Sequence, residues 1–271
     1  MDKEGFQLVE KQFKYLSSPL LTESGRVNHA FSTRHGGLST GYCSSLNFAF
    51  HTGDKNERVL TNRRLFFGYF GYDYRYIVSS IQVHGSGIKI FDSADRGEGA
   101  LPQTAKSECD ALITQEKGLV LTAYAADCLL LYVTSRNEPL AALIHAGWQG
   151  TLASIAMKVV KWIVSSLGAK PSDLLVAFSP SICYRCYEIG SDLYAKYLAA
   201  GWLADRHLFR HENRYYLDIA AVNRSQLLDA GISNRNIANS SWCTSCNPNL
   251  FYSYRRDKGK TGRMIGFIAN L

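Results

Sequence analysis

Residues 119–150 read LVLTAYAADCLLLYVTSRNEPLAALIHAGWQG, and this stretch decides how the rest of the chain is read. Two apolar, β-forming runs, 128–134 and 140–144, are joined by SRNEP, whose Asn137 and Pro139 favour a turn. The spacing therefore predicts an antiparallel hairpin. Cys128 opens the first run and His145 closes the second. In an antiparallel pair the start of one strand lies beside the end of the next, so the thiol and the imidazole are expected side by side. A thiolate next to an imidazole makes either half a zinc site or a Cys–His nucleophile pair. A packed cysteine beside a hydrogen-bonded core histidine is the plainer reading, and these two residues alone leave it open.

Outward from the hairpin, GWQGTLASIAMKVVKWIVSSLG reads as one helix. Trp148, Leu152, Ile155, Val159 and Ile163 recur at three- and four-residue steps, and Gly168 ends it. DLLVAFSPSIC gives a strand running into a loop. SDLYAKYLAAG gives a helix capped by Ser191, and DIAAVNRSQLLDAG one capped by Asp218 and closed by Gly231; IANSSWCTSC and RMIGFIANL give late strands. On the other side, CDALIT (with Asp110) and GLVLTAY are strands, and YIVSSIQVH is a strand ending in Gln82 and His84 beside Gly85. The intervening SADRGEGALPQTAKSE is polar and is expected to be a mobile loop. A helix through NERVLTNRRLFFGYF is expected to be capped by Asp54 or Asn56, with Arg63 and Arg64 at the surface or salt-bridged. A glycine-punctuated loop before it carries Arg34, His35, Asn47 and His51; it can wrap an anion or a sugar, or be an exposed turn. Residues 1–25 are read as an N-terminal arm with at most one strand, and 26–271 as a single α+β catalytic domain.

With 46% hydrophobic and 20% charged residues the chain has the balance of a globular protein with a sizeable core. No apolar run approaches the ~20 residues of a membrane span and the start is not a signal peptide, so a cytoplasmic protein without a membrane partner is expected. The net charge of +7 comes from scattered residues with no nucleic-acid reading motif. Arginines in STRHGG, SYRRD and TGR suit a small anion such as phosphate instead. Seven cysteines, an odd number without a secretion signal, argue against a disulfide framework. CYRC (Cys183, Cys186) and CTSC (Cys243, Cys246) are separated by far more than the ~15–20 residues of ribbon-type zinc sites. They are read as free or packed thiols in preference to a four-thiolate zinc centre.

His84, Cys128 and His145 share one description: each stands at a strand end beside Gly, Asp or Ala. Two imidazoles and a thiolate form the protein shell of a catalytic zinc, with the fourth position left for water or substrate. Such an ion lowers the pKa of bound water to ~7 and polarises an electrophile. Asp127 and Asp110 are candidates for orienting or proton-handling carboxylates, with turn capping the alternative for Asp127.

FSTRHGGLS, SLN, HTGD, QVHG, DALIT, ADC, HAGWQG, YEIG and FYSYRRDKGKTGR occur in one order from Phe31 almost to the C-terminus. In this the chain resembles the YfiH-like, laccase-domain purine nucleoside phosphorylases, a family that also carries a polyphenol oxidase label. The resemblance implies a layered α/β/β/α sandwich with mixed sheets, and zinc held by His84, Cys128 and His145. It also implies phosphorolysis of adenosine, inosine and methylthioadenosine, with adenosine deamination at the same site. The expected partners are purine nucleosides and inorganic phosphate, and the expected state is a monomer or homodimer. Arg34 is the expected phosphate clamp, with Asn47, His51, Gln82 and Arg256 as further substrate contacts and Asp127 as a catalytic carboxylate. The zinc-deaminase signature pairing H-x-E with P-C-x-x-C is missing, so deamination would need another proton carrier. One departure stands out: Ser179 precedes Pro180 where the family usually has Gly, which is expected to narrow substrate choice.

Three other readings compete. Copper could occupy the Cys/His set and oxidise phenols, but none of the three methionines stands near it as an axial ligand and seven histidines are few for a multicopper enzyme. A metal-free Cys–His hydrolase or amidase acting on cell-wall precursors would use Cys128 as nucleophile. A nucleoside-binding module would bind without turnover.

Overall fold

The hairpin forms as two adjacent strands, Leu129–Ser135 and Ala141–Ala146, with Leu131 opposite Ile144 and Leu129 opposite Ala146. The computed structural model describes residues 3–202 and 206–271; residues 1 and 2 of the expected arm lie outside them. Successive side chains of a strand point to opposite faces. Accordingly Ala141 and Leu143 enter one core cluster, and Ala142 and Ile144 another. Burial on both faces is why these runs are continuously apolar.

The pair lies within a seven-stranded mixed sheet. Its order is Lys3–Glu4, Ile237–Asn239, Leu174–Phe178, Leu129–Ser135, Ala141–Ala146, Ala111–Thr114, Ile88–Ile90. A six-stranded mixed sheet runs Gln7–Glu10, Lys14–Ser17, Val27–Ser32, Met264–Asn270, Leu121–Ala125, Val78–Ser79. The inner faces meet: Leu130, Tyr132 and Leu143 of the first sheet pack with Leu121, Ala123 and Ile268 of the second. Each fully buried Leu or Ile in such a core contributes about 1.5–3 kcal/mol. Tyr132 crosses this interface and donates to Ala30 O at 3.0 Å. A Cβ on Gly266 would stand 2.1 Å from the Tyr132 hydroxyl, so only glycine lets the tyrosine pass.

Helices Ile155–Leu167 and Ile219–Asp229 cover the outer face of the first sheet through Val159, Ile163 and Leu227. Helix Asn56–Tyr69 covers that of the second, where Phe66 and Phe67 meet Phe267. The result is the α/β/β/α sandwich in a single domain. A small sheet, Glu188–Ile189, Arg214–Leu217 and Leu208–His211, packs with helix Ser191–Ala199 at one side. Among the described residues no helix is long and apolar enough to cross a membrane.

Several local expectations are corrected. The arm forms three strands and the short helix Pro19–Thr22, hydrogen-bonded into both large sheets. The long helix after His145 is broken into Trp148–Leu152 and Ile155–Leu167 at Ser154, whose φ of 58° is left-handed. The strand before His84 shrinks to Val78–Ser79. The polar 93–108 loop is anchored: Asp92, just before it, and Asp95 form a capping box, and Lys89 bonds Asp95 and Glu98 at 3.1 and 3.3 Å. Helix Asn56–Tyr69 has Lys55 at its N-cap, while Asp54 accepts from Asn47 Nδ2. Arg63 is 1% exposed, not a surface residue.

Candidate metal centre and adjoining cavity

Four neighbouring strands deliver the site residues to one end of the seven-stranded sheet. Asp110 precedes Ala111–Thr114, Cys128 precedes Leu129–Ser135, and His145 stands next to last in Ala141–Ala146. Antiparallel pairing sets Ile144 against Ala111 and His145 against Leu130. Ile88–Ile90 runs parallel to Ala111–Thr114, so residues 84–87 arrive at the same end. One potential ligand atom each from His84, Cys128 and His145 lies within 4.8 Å of the other two. The imidazoles stand edge to face, with centroids 4.9 Å apart.

Asp110, fully buried, organises this end. Its Oδ1 accepts from His145 Nδ1 at 2.8 Å and from His84 N at 3.1 Å, and its Oδ2 accepts from Gly85 N at 2.7 Å. A carboxylate can only accept, so Nδ1 of His145 carries a proton and its Nε2 is the ring nitrogen turned to other work. The same carboxylate holds His84 at φ 60°, a left-handed conformation costly for a histidine and kept only where neighbours impose it. Gly147 supplies the space: a Cβ there would stand 3.1 Å from His84 Cδ2 and 3.4 Å from Cys128 Sγ.

Burial alone would push the Cys128 thiol up, but the facing His145 and His84 reverse this and bring it down to about 6. Burial would likewise lower His145, yet the Cys128 thiolate and the Asp110 carboxylate raise it to about 9. Without a metal the two therefore form a thiolate–imidazolium pair around neutral pH. The donor set suits a divalent ion of the zinc or copper type: one soft thiolate, two imidazoles, a carboxylate orienting both histidine segments, and a gap at Gly147.

The cluster opens into a cavity of about 880 Å³ with a predominantly apolar and aromatic wall that includes Phe50, Tyr124, Trp148, Tyr187 and Tyr254. That volume falls in the ~300–1,000 Å³ range of small-molecule sites. His51 and Gln82 line it, as does Asp127. Gln82 is committed to the Tyr124 backbone, donating to its O at 2.9 Å and accepting from its N at 2.8 Å. Asp127, at φ 97°, accepts from Thr244 Oγ1 at 2.6 Å and from Arg255 N at 2.7 Å, so its carboxylate ties three loops together.

Three of the expected substrate contacts do not line the cavity. Arg34 donates to Ser44 O and Pro248 O and stacks on Tyr252. Asn47 is buried, bridging Ala49, Thr52 and Asp54. Arg256 grips Asp257 and the carbonyls of Thr244 and Phe251. The cavity's own arginines are Arg63, Arg255 and Arg263. Arg63 is saturated by Phe48 O, Gly99 O, Ala100 O and the Tyr124 hydroxyl. The Arg263 guanidinium donates only through Nη1, to Thr261 O and Gly262 O, leaving Nε and Nη2 without a protein acceptor among the described residues. The TGR segment signalled it; nothing in the sequence distinguished Arg63 from the exposed Arg64. Ser179 turns its hydroxyl into the sheet, accepting from Leu130 N at 3.0 Å, and does not line the cavity, so the expected narrowing has no support.

Comparison with known proteins agrees with this architecture. Residues 28–270 match the family described as multi-copper polyphenol oxidoreductase laccase. Purine nucleoside phosphorylase YlmD of Geobacillus stearothermophilus is 39% identical over 242 residues, 88% of each chain. Adenosine deaminase RL5, from an unknown prokaryotic organism, is 31% identical over 238 residues, 86% of this chain and 90% of that one. The crystal structure of the Geobacillus YlmD superposes with a TM-score of 0.90 at 34% identity, covering 100% of this chain and 99% of that one. The chain thus belongs to the multi-copper polyphenol oxidoreductase laccase family, alongside relatives whose names are those of nucleoside-processing enzymes.

Proposed function

We propose that this protein is a zinc-dependent purine nucleoside phosphorylase that also deaminates adenosine and cleaves methylthioadenosine in the same cavity. The observation that carries the reading is the convergence of His84, Cys128 and His145, oriented by Asp110, at the wall of an aromatic-lined cavity with room for a nucleoside. The names of the phosphorylase and deaminase relatives support the substrate class. Zinc bound by the three side chains would supply Lewis-acid polarisation and water activation at that point.

The remaining work falls to the chain itself. Aromatic walls take the purine and exclude water. Phosphorolysis also needs an anion held against the ribose C1′; Arg263, which keeps donors to spare and acts on His51, would hold it in place of Arg34, with Arg255, bonded through its side chain only to Glu188 O among the described residues, as a second candidate. His51, whose pKa is lowered by burial and by the nearby arginines Arg263 and Arg63, would join it as a neutral hydrogen-bonding partner. Asp127 keeps the Cys128 loop in place through Thr244 and Arg255, a positioning role.

Incubation with adenosine, with and without phosphate, followed by chromatography, tests the proposal. Adenine and ribose 1-phosphate appearing only with phosphate report phosphorolysis; inosine reports deamination. Neither product from a zinc-loaded protein would overturn the reading. His84→Ala and Cys128→Ala should each abolish turnover with the fold retained. Stoichiometric copper without zinc would favour phenol oxidation instead. The thiolate–imidazolium pair is also what a Cys–His nucleophile requires. Single-site alkylation of Cys128 that proceeds equally with and without zinc would favour that hydrolase.

A further inference from the structure

The two CxxC segments, expected to hold separate thiols, converge. Cys183 precedes and Cys186 ends the turn Tyr184–Cys186, and Cys243 and Cys246 lie on the loop after Ile237–Asn239. A short bridge sets Ser181 beside Cys243, with Thr244 N donating to Ser181 O at 3.1 Å. All four sulfurs lie within 4.8 Å of one another, and Cys186 Sγ is 3.4 Å from Cys246 Sγ. A tetrahedral zinc with Zn–S bonds of ~2.3 Å requires sulfurs about 3.8 Å apart, inside this range. Amide groups already point at the sulfur of Cys243: Cys183 N at 3.3 Å and Cys246 N at 3.5 Å. Such N–H···S contacts favour thiolate over thiol, as a metal ligand must be. Arg256 donates to the carbonyls of Thr244 and Ser245 and so lays a cation against the same loop.

We propose that Cys183, Cys186, Cys243 and Cys246 form a second, structural zinc site, closed by four thiolates and separate from the His84–Cys128–His145 centre. It clips together segments 60 residues apart, one lining the cavity at Ile182 and Tyr187 and the other bonded to the wall residue Asp127. Ile182 N donates to Asp127 O, Thr244 bonds the Asp127 carboxylate, and Tyr187, one residue past Cys186, forms part of the wall. A metal there would hold Asp127 and Tyr187 in place without touching substrate. Four thiolates leave no open position, so this site is assigned structure and not turnover.

The test is elemental analysis of protein expressed with zinc. Relative to wild type, Cys246→Ser and Cys183→Ser should each lose one zinc per chain, whereas His84→Ala keeps that zinc. Cys246→Ser should also unfold at lower temperature. Should the serine variants fail to fold, cobalt substitution of the His84→Ala variant provides the second measurement: intense sulfur-to-cobalt charge transfer with tetrahedral d–d bands is expected. Unchanged zinc content in folded serine variants, absence of the cobalt bands, or a mass showing Cys186 and Cys246 joined as a disulfide would overturn the proposal.

Discussion

Replacing Asp110 by Asn tests whether one buried carboxylate builds the metal centre. The side chain is fully buried and accepts three hydrogen bonds, two at Oδ1 and one at Oδ2. An amide of the same shape offers one accepting oxygen and a donating NH2. With its oxygen at the Oδ1 position it keeps His145 and His84 as neutral bonds and sets its NH2 against Gly85 N–H. Turned over, it abandons two donors instead of one. The better orientation still orphans the half-buried Gly85 N–H, at most about 1–3 kcal/mol, and weakens the charge-assisted bond to His145. Part of that loss appears as reduced fold stability. The part that frees the two histidines should weaken zinc binding by about 10–100-fold, the usual effect of losing such an orienting partner, or about 1.4–2.8 kcal/mol at 1.4 kcal/mol per decade. Competition with a chromophoric chelator measures the affinity, and circular dichroism checks the fold. Zinc affinity within threefold of wild type in a folded variant would refute the reasoning.

Zinc uptake should be coupled to proton release. Between pH about 6 and about 9 the metal-free pair holds a thiolate and a protonated His145, so binding must expel one proton from that pair and affinity should climb about tenfold per pH unit. Below that window the thiol adds a second proton and steepens the slope; above it the pair contributes none. Calorimetry in two buffers of different ionisation enthalpy counts the protons, and a count near zero at pH 7.5 would contradict the pairing. Gly147→Ala places a methyl 3.1 Å from His84 Cδ2 and 3.4 Å from Cys128 Sγ while the glycine's φ of −77° suits any residue. Reduced zinc occupancy and kcat with little change in melting temperature is the expected result, and unaltered occupancy would show the gap to be incidental. Arg63→Ala strands the carbonyls of Phe48, Gly99 and Ala100. At about 1 kcal/mol each the loss is roughly 3 kcal/mol, or about 6–12 °C in Tm; a fall below 2 °C by calorimetry would mean water replaces the guanidinium.

The hairpin of residues 119–150 was legible because its information is local. Two continuous apolar runs around a turn admit one pairing, and pairing alone sets Cys128 beside His145. The ordered blocks carried His84 into the same site and the sandwich with it. What the sequence could not supply were contacts between segments distant in the chain. Arg63 and Arg64 are neighbours of one type on one helix, yet only the tertiary fold buries the first against the carbonyls of the 99–100 loop. Arg34 and Arg263 both stand in glycine-containing segments, and which of them keeps donors free depends on which backbone carbonyls lie within reach. The four thiols beyond the sheet make the same point, since spacing argues for separate cysteines while one strand-like bridge from Ser181 to Cys243 gathers them. Sequence alone determined the central hairpin and which chemistry its sheet end could hold, because periodicity and short-range pairing are written in adjacent residues. Only the tertiary structure decided which arginines face the cavity and which sulfurs meet, because those outcomes depend on how loops from distant parts of the chain pack across the sheet edge.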